Sequence, residues 1–202
     1  MFRSVQGIGF AFDLKSYGVL QWVHRHRTKL GGQGALVYLA GEEAGGNLAA
    51  AVALMARDQA HPPLAGQLLL SPMLDPCVGS ASQRRTTGDA VDCKWVQGWR
   101  NFLRCPRDAE HPYAVPASAH RLAGLPPTLV LVGDTDPMRD EALAYAARLH
   151  AAGLQVTQHV FAKAEKWPEP LLETGPHECP CAGAVQEEFR RFFEATRCRE
   201  SS

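Results

Sequence analysis

Between residues 41 and 46 the chain reads Gly41-Glu42-Glu43-Ala44-Gly45-Gly46, and two of its glycines stand at the Gly-x-x-x-Gly spacing of a nucleophile elbow. Glycines on either side of such a turn let the backbone double back and leave the third residue strained at the start of a helix. That residue is Glu43. A carboxylate that attacks an ester leaves an anhydride and has no hydroxyl proton to pass to a base, so this elbow cannot run serine-type acyl transfer. Asp136 stands before Pro137 and, on residue types alone, reads as a helix N-cap. The stretch His177-Glu178-Cys179-Pro180-Cys181 gathers an imidazole and two thiols, but they alternate too closely for a structural zinc site. By itself His177 reads as a surface histidine near a helix N-terminus, and His159, on a strand, as structural.

These groups are positioned by alternating strands and helices. Ala35 to Ala40 is short, apolar and bounded by glycines, as a parallel strand covered on both faces should be, and Asn47 to Met55 is an alanine-rich helix close to it. Ahead of them, Phe12 to Arg27 places Leu14, Tyr17, Leu20 and Val23 at helical spacing and ends in a basic turn. His61-Pro62-Pro63 breaks the chain before a second strand, Leu64 to Leu70, closed by Ser71-Pro72. An irregular excursion over 77–120 carries Trp95 and Trp99 one helical turn apart. A third strand, Thr128 to Gly133, leads to a helix from Pro137 to Ala152 that stops at Gly153. Gln155 to Phe161 alternates as a fourth strand, and Ala182 to Thr196 is amphipathic through Val185, Phe189, Phe192 and Phe193. Such alternation with short connections predicts an α/β fold: a parallel sheet of these four strands in chain order, with helices on both faces.

A chain of 202 residues with 46% hydrophobic content suits one domain. Zero formal charge and a pI near 7.1 leave no electrostatic footprint for nucleic acid or an acidic membrane. No apolar run approaches the length of about eighteen residues that a bilayer span needs. The polar, glycine-broken start does not read as a secretory signal, so the expectation is a cytoplasmic protein with its six cysteines reduced. No cofactor or metal is called for.

The run Gly41-Glu42-Glu43-Ala44-Gly45-Gly46-Asn47-Leu48 resembles the G-D-S-A-G-G-N-L block of the hormone-sensitive-lipase-like branch of the α/β-hydrolases, with Glu43 in place of the serine. Gly133-Asp134-Thr135-Asp136-Pro137-Met138-Arg139-Asp140-Glu141 is similar to that branch's G-x-x-D-P-L-R-D-E block. The resemblance implies the C-terminal part of an α/β-hydrolase fold as one partial domain over 1–202. It puts Glu43 at the nucleophile position, the Ala44 amide at the oxyanion, and Asp136 at the triad acid. It also lays the 77–120 excursion over an acyl pocket, the alternative being a surface insertion whose tryptophans simply pack. Relatives carry His-Gly-Phe soon after the last strand, where this chain has Lys166-Trp167-Pro168, so His177 is the candidate base if its loop folds back. The strands and His-Gly-Gly loop that precede the elbow strand in the family have no counterpart here.

By resemblance, the activity is hydrolysis of carboxylic esters with small acyl groups, impaired or lost at Glu43. Glu43 leaves three readings open: a decayed site, a carboxylate nucleophile as in dehalogenases and epoxide hydrolases of this fold, or an altered residue in an ordinary esterase. The rival class is a pseudohydrolase that binds a small ligand or a partner, as plant gibberellin receptors of this branch do after losing a catalytic residue. Expected partners are a small ester or ligand, no nucleic acid and no membrane, and a second copy or another chain covering the sheet edge that Ala35 to Ala40 leaves open.

Overall fold

The computed structural model describes residues 8–77, 79–87, 94–103, 105–165, 167 and 180–197. Strands β1 (Tyr38–Glu42), β2 (Gly66–Leu70), β3 (Thr128–Gly133) and β4 (Val156–Phe161) form one sheet in the order β1-β2-β3-β4, every neighbouring pair parallel. The α/β class and the strand order are those expected from the alternation. The register sets Glu42 opposite Leu70, Leu70 opposite Leu131, and Gly133 opposite Phe161, so the loops that carry chemistry all leave the carboxyl end.

Among the described residues the α-helices are α1 (Ile8–Gly31), α2 (Ala44–Asp58), α3 (Ala81–Thr87), α4 (Lys94–Phe102), α5 (Arg139–Ala151) and α6 (Ala182–Arg197). Successive strand residues point to opposite faces. Leu69 packs with Ala50, Ala53 and Leu54 of α2 and Tyr145 and Leu149 of α5 on one face. Leu68, Leu129, Leu131 and Phe161 meet Phe192, Phe189 and Val185 of α6 on the other. The alanines of α2 have no bulk to hold the helix off the sheet; Ala50, Ala51 and Ala53 are fully buried. Tyr38 joins β1 to α6: its hydroxyl lies 2.8 Å from Thr196 Oγ1 and its ring meets Phe193 edge-on.

Three expectations shift. The first strand is Tyr38–Glu42 rather than Ala35 to Ala40. Gly32 and Gly34 take φ of 88° and 75°, which prolongs the turn after α1, and the strand then runs on through Gly41 and Glu42 because β2 offers Leu69 and Leu70 as partners. Helix α5 begins at Arg139, after a turn in which Asp136 N–H donates to Gly133 and Arg139 N–H to Asp136. Cys181 is disulfide-bonded, so the cysteines are not all reduced, while Cys77 and Cys105 are free thiols. Among the described residues no helix is long and apolar enough to cross a membrane.

Candidate active site at the carboxyl end of the sheet

Glu43 leaves β1 with φ 47° and ψ −115°, a region that non-glycine residues seldom occupy and that costs of order 1–3 kcal/mol. Tertiary bonds hold it there. Glu43 N–H donates to Leu70 C=O at 3.0 Å, and Glu43 C=O accepts from Asn47 N–H at 3.2 Å and Met73 N–H at 3.0 Å. The turn closes so tightly that a Cβ at Gly41 would stand 2.0 Å from Gly45 O, and one at Gly46 would stand 2.8 Å from Pro72 Cβ. The local geometry is therefore a tight, strained strand-to-helix turn with the Glu43 carboxylate at its apex. Ala44 is the first residue of α2, so its amide has no acceptor four residues back and is available to an oxyanion.

Asp136 is 3% exposed and divides its two oxygens between two tasks. Oδ1 accepts from Met138 N–H at 2.8 Å, which closes the turn into α5 in the manner of a cap. Oδ2 accepts from Ser71 Oγ at 2.5 Å and from Trp167 Nε1 at 3.0 Å. Burial pushes its carboxyl above the usual carboxylate range, opposed by the bonds from Ser71, Met138 N–H and Trp167. Ser71, which closes β2 at φ 40°, was not singled out from the sequence, where only its place before Pro72 marked it as a strand end.

Trp167 occupies the stretch where the family block calls for histidine. Its ring stacks on Phe161 at 4.7 Å and lies so close over Gly133 that a Cβ there would come 2.6 Å from Trp167 Cδ1. The indole N–H thus faces Asp136 Oδ2 as an imidazole N–H could, but an indole donates one hydrogen bond and has no lone-pair nitrogen to receive a proton. An imidazole in that place would hold the acid with one nitrogen and take a proton with the other. His177 lies outside the described residues. His159, on β4, faces Glu188 of α6 at 3.5 Å, consistent with a structural role.

Two further features surround the acid. Glu141 Oε2 accepts from Leu74 N–H at 3.2 Å and Asp75 N–H at 2.9 Å, pinning the loop after β2. Burial drives its carboxyl up to about 8, the two amides oppose this, and the charges of Asp75 and Asp136 add to it. The excursion is packed onto the same end of the molecule: Trp95 and Trp99 of α4 are buried with Met73, Ala114, Val115 and Met138, residues that adjoin the loops of Ser71 and Asp136.

The chain matches the family described as alpha/beta hydrolase fold over residues 14–165. It belongs to that family. Esterase LipI of Mycobacterium tuberculosis is 32% identical over 148 residues, covering 71% of this chain and 46% of the esterase. The gibberellin receptor GID1C of Arabidopsis thaliana is 34% identical over 157 residues, covering 72% of this chain and 44% of the receptor. The solved esterase of Pyrobaculum calidifontis superposes with a TM-score of 0.75 at 29% identity, over 90% of this chain and 60% of that one. This α/β-hydrolase chain thus spans about half the length of the curated relatives it matches.

Proposed function

We propose that this chain is a non-hydrolytic member of the esterase-type α/β-hydrolases, whose carboxyl-end site binds a small ester-like ligand without cleaving it. The observation that carries the reading is the Trp167 indole on Asp136 Oδ2. Asp136 is buried, but the indole bonded to it cannot relay a proton, and Glu43 has no hydroxyl to lose one. Among the described residues, the nucleophile's and the base's places at this site are therefore held by groups that cannot play those parts, while the strained elbow, the Ala44 amide and the packed excursion persist. Kinship with both esterases and a gibberellin receptor supports a lineage in which this scaffold serves binding as well as hydrolysis.

The test is p-nitrophenyl acetate hydrolysis by four proteins: the chain itself, Glu43→Ser, Trp167→His, and both together. The chain should run no faster than an equal concentration of its unfolded form, and each single variant should stay near that background. The double variant should exceed either single by at least about tenfold, since nucleophile and base act as a unit. With Ala44 as the oxyanion donor in view, it should still fall short of a complete esterase, a missing donor costing about 10²- to 10³-fold. Hydrolysis by the unaltered chain that disappears in Glu43→Gln would overturn the reading in favour of a carboxylate nucleophile.

A further inference from the structure

Ser71 has a side chain that its backbone does not call for. It closes β2 at φ 40°, and its N–H donates to Leu131 C=O at 2.8 Å. Glycine would serve that turn without the cost of order 1–3 kcal/mol that a non-glycine residue meets at such a φ. The hydroxyl, in contrast, is fully used in a residue only 3% exposed. Ser71 Oγ accepts from Trp167 Nε1 at 3.2 Å and lies 2.5 Å from Asp136 Oδ2. The proton count at this short contact decides its direction. A protonated Asp136 would bring a second proton to it, and the hydroxyl would have to turn its own elsewhere, yet among the described residues no other acceptor is bonded to Ser71 Oγ. The remaining bonds to the acid agree. Met138 N–H donates to Oδ1 at 2.8 Å and the indole N–H to Oδ2 at 3.0 Å, and neither of these groups can accept.

We propose that Ser71 is the positioning residue of this site: its hydroxyl gives its one proton to Asp136 Oδ2 and so holds the buried acid as an anion, turned toward the place that Trp167 fills. The need for such a device follows from what else faces the acid. Burial favours its neutral form, and the bond from Ser71 leads the three that oppose this. Among the described residues no Lys, Arg or His side chain is bonded to it. The guanidinium of Arg139, three residues on, stands 3.6 Å from Asp134 instead. Glu141 of the same helix is pushed up to about 8, by burial first and then by the charges of Asp75 and Asp136, so it stays neutral through the acid range and leaves the titration of Asp136 undisturbed there. A neutral hydroxyl therefore does what a cation would otherwise have to do. It also sets what can sit beside the acid. With Ser71 donating, Oδ2 is left as an acceptor, and a group in the indole's place has to bring an N–H or O–H, since an acceptor there would face a carboxylate with no proton between them. This role belongs to the charge on Asp136 and is independent of whether the chain cleaves esters.

The chain's four tryptophans give four indole N–H signals in a proton–nitrogen NMR spectrum, and Trp167→Phe identifies the one that faces Asp136. In the unaltered chain that signal should step as Asp136 ionises, the step should be complete by about pH 7, and Asp136→Asn should abolish it. Ser71→Gly suits φ 40° and loses only the hydroxyl, so its circular dichroism should match that of the unaltered chain. Removing a donor to the charged form favours the neutral one, so the midpoint should rise by about one pH unit or more, a tenfold gain in proton affinity. Ser71→Ala keeps the Cβ, loses the same hydroxyl and should shift the midpoint equally. A midpoint in Ser71→Gly that stays within about 0.3 of the original would overturn the proposal, because the hydroxyl would not be holding the charge. A lower midpoint would do so too, because the hydroxyl would then be accepting from a neutral acid. A shift confined to Ser71→Ala would lay the effect on the backbone, and a step still incomplete at about pH 7 in the unaltered chain would make the acid neutral; either overturns it. A signal flat from about pH 4 to about pH 8 in both the unaltered chain and Ser71→Gly would unlink the indole from the acid and count equally against it. None of these readings uses ester cleavage, so hydrolysis by the unaltered chain would overturn the proposed function and leave the role of Ser71 standing.

Discussion

Asp136 divides its two carboxylate oxygens between two sets of partners. Oδ1 accepts from Met138 N–H as a helix-start aspartate does, and Oδ2 accepts from Ser71 and Trp167 across the site. Glu141, five residues on, is the more exposed to pH. Its folded-state value of about 8 stands above its ordinary 4.5, so the neutral acid contributes its full stability below pH 4.5. That contribution is lost as the pH rises toward 8, by an amount on the order of a few kcal/mol. Between about pH 5 and about pH 9 the melting temperature of the chain should therefore fall further than that of Glu141→Gln. The glutamine keeps a carbonyl for Leu74 and Asp75 N–H but cannot ionise. Parallel melting curves for the two proteins would show that Glu141 is not held neutral.

At the scale of the element, the elbow does not use its glycines evenly. The Gly-x-x-x-Gly spacing suggests that Gly41 and Gly45 serve alike, yet an added Cβ meets the Gly45 carbonyl when placed on Gly41 and meets nothing within 4 Å when placed on Gly45. The third glycine, Gly46, is the one pressed against Pro72. Gly41→Ala should lower stability by about 2 kcal/mol or more, since a backbone clash of this kind can be relieved only by opening the turn. Gly45→Ala lies in the first turn of α2, where alanine is favoured over glycine by less than the roughly 1 kcal/mol of a helix interior, and should be neutral or stabilising. Urea unfolding of both variants checks the contrast, and equal losses would contradict it.

For the whole molecule, the sheet is covered by α2 and α5 on one face and α6 on the other, and among the described residues β1 and β4 are its end strands.

Sequence alone determined what depends on local pattern: apolar strands bounded by glycine and proline, the 3.6-residue stripe of α6, and the two blocks that end β1 and β3. These signals are short-range, so the strand order and the parallel α/β class could be read without coordinates. The positions of Glu43 and Asp136 followed, because each lies in such a block. Tertiary structure decided what depends on contacts between distant segments. The bounds of β1 moved because β2, not the apolar run 35–40, supplies its hydrogen bonds. Ser71 became a partner of the acid through a strand-end loop 65 residues away. Trp167 had marked only the absence of a histidine, and its role appeared once Phe161 and Gly133 seated the ring and aimed its N–H at Asp136. A side chain's reach across a sheet end has no period in the sequence, and this site is made of such reaches.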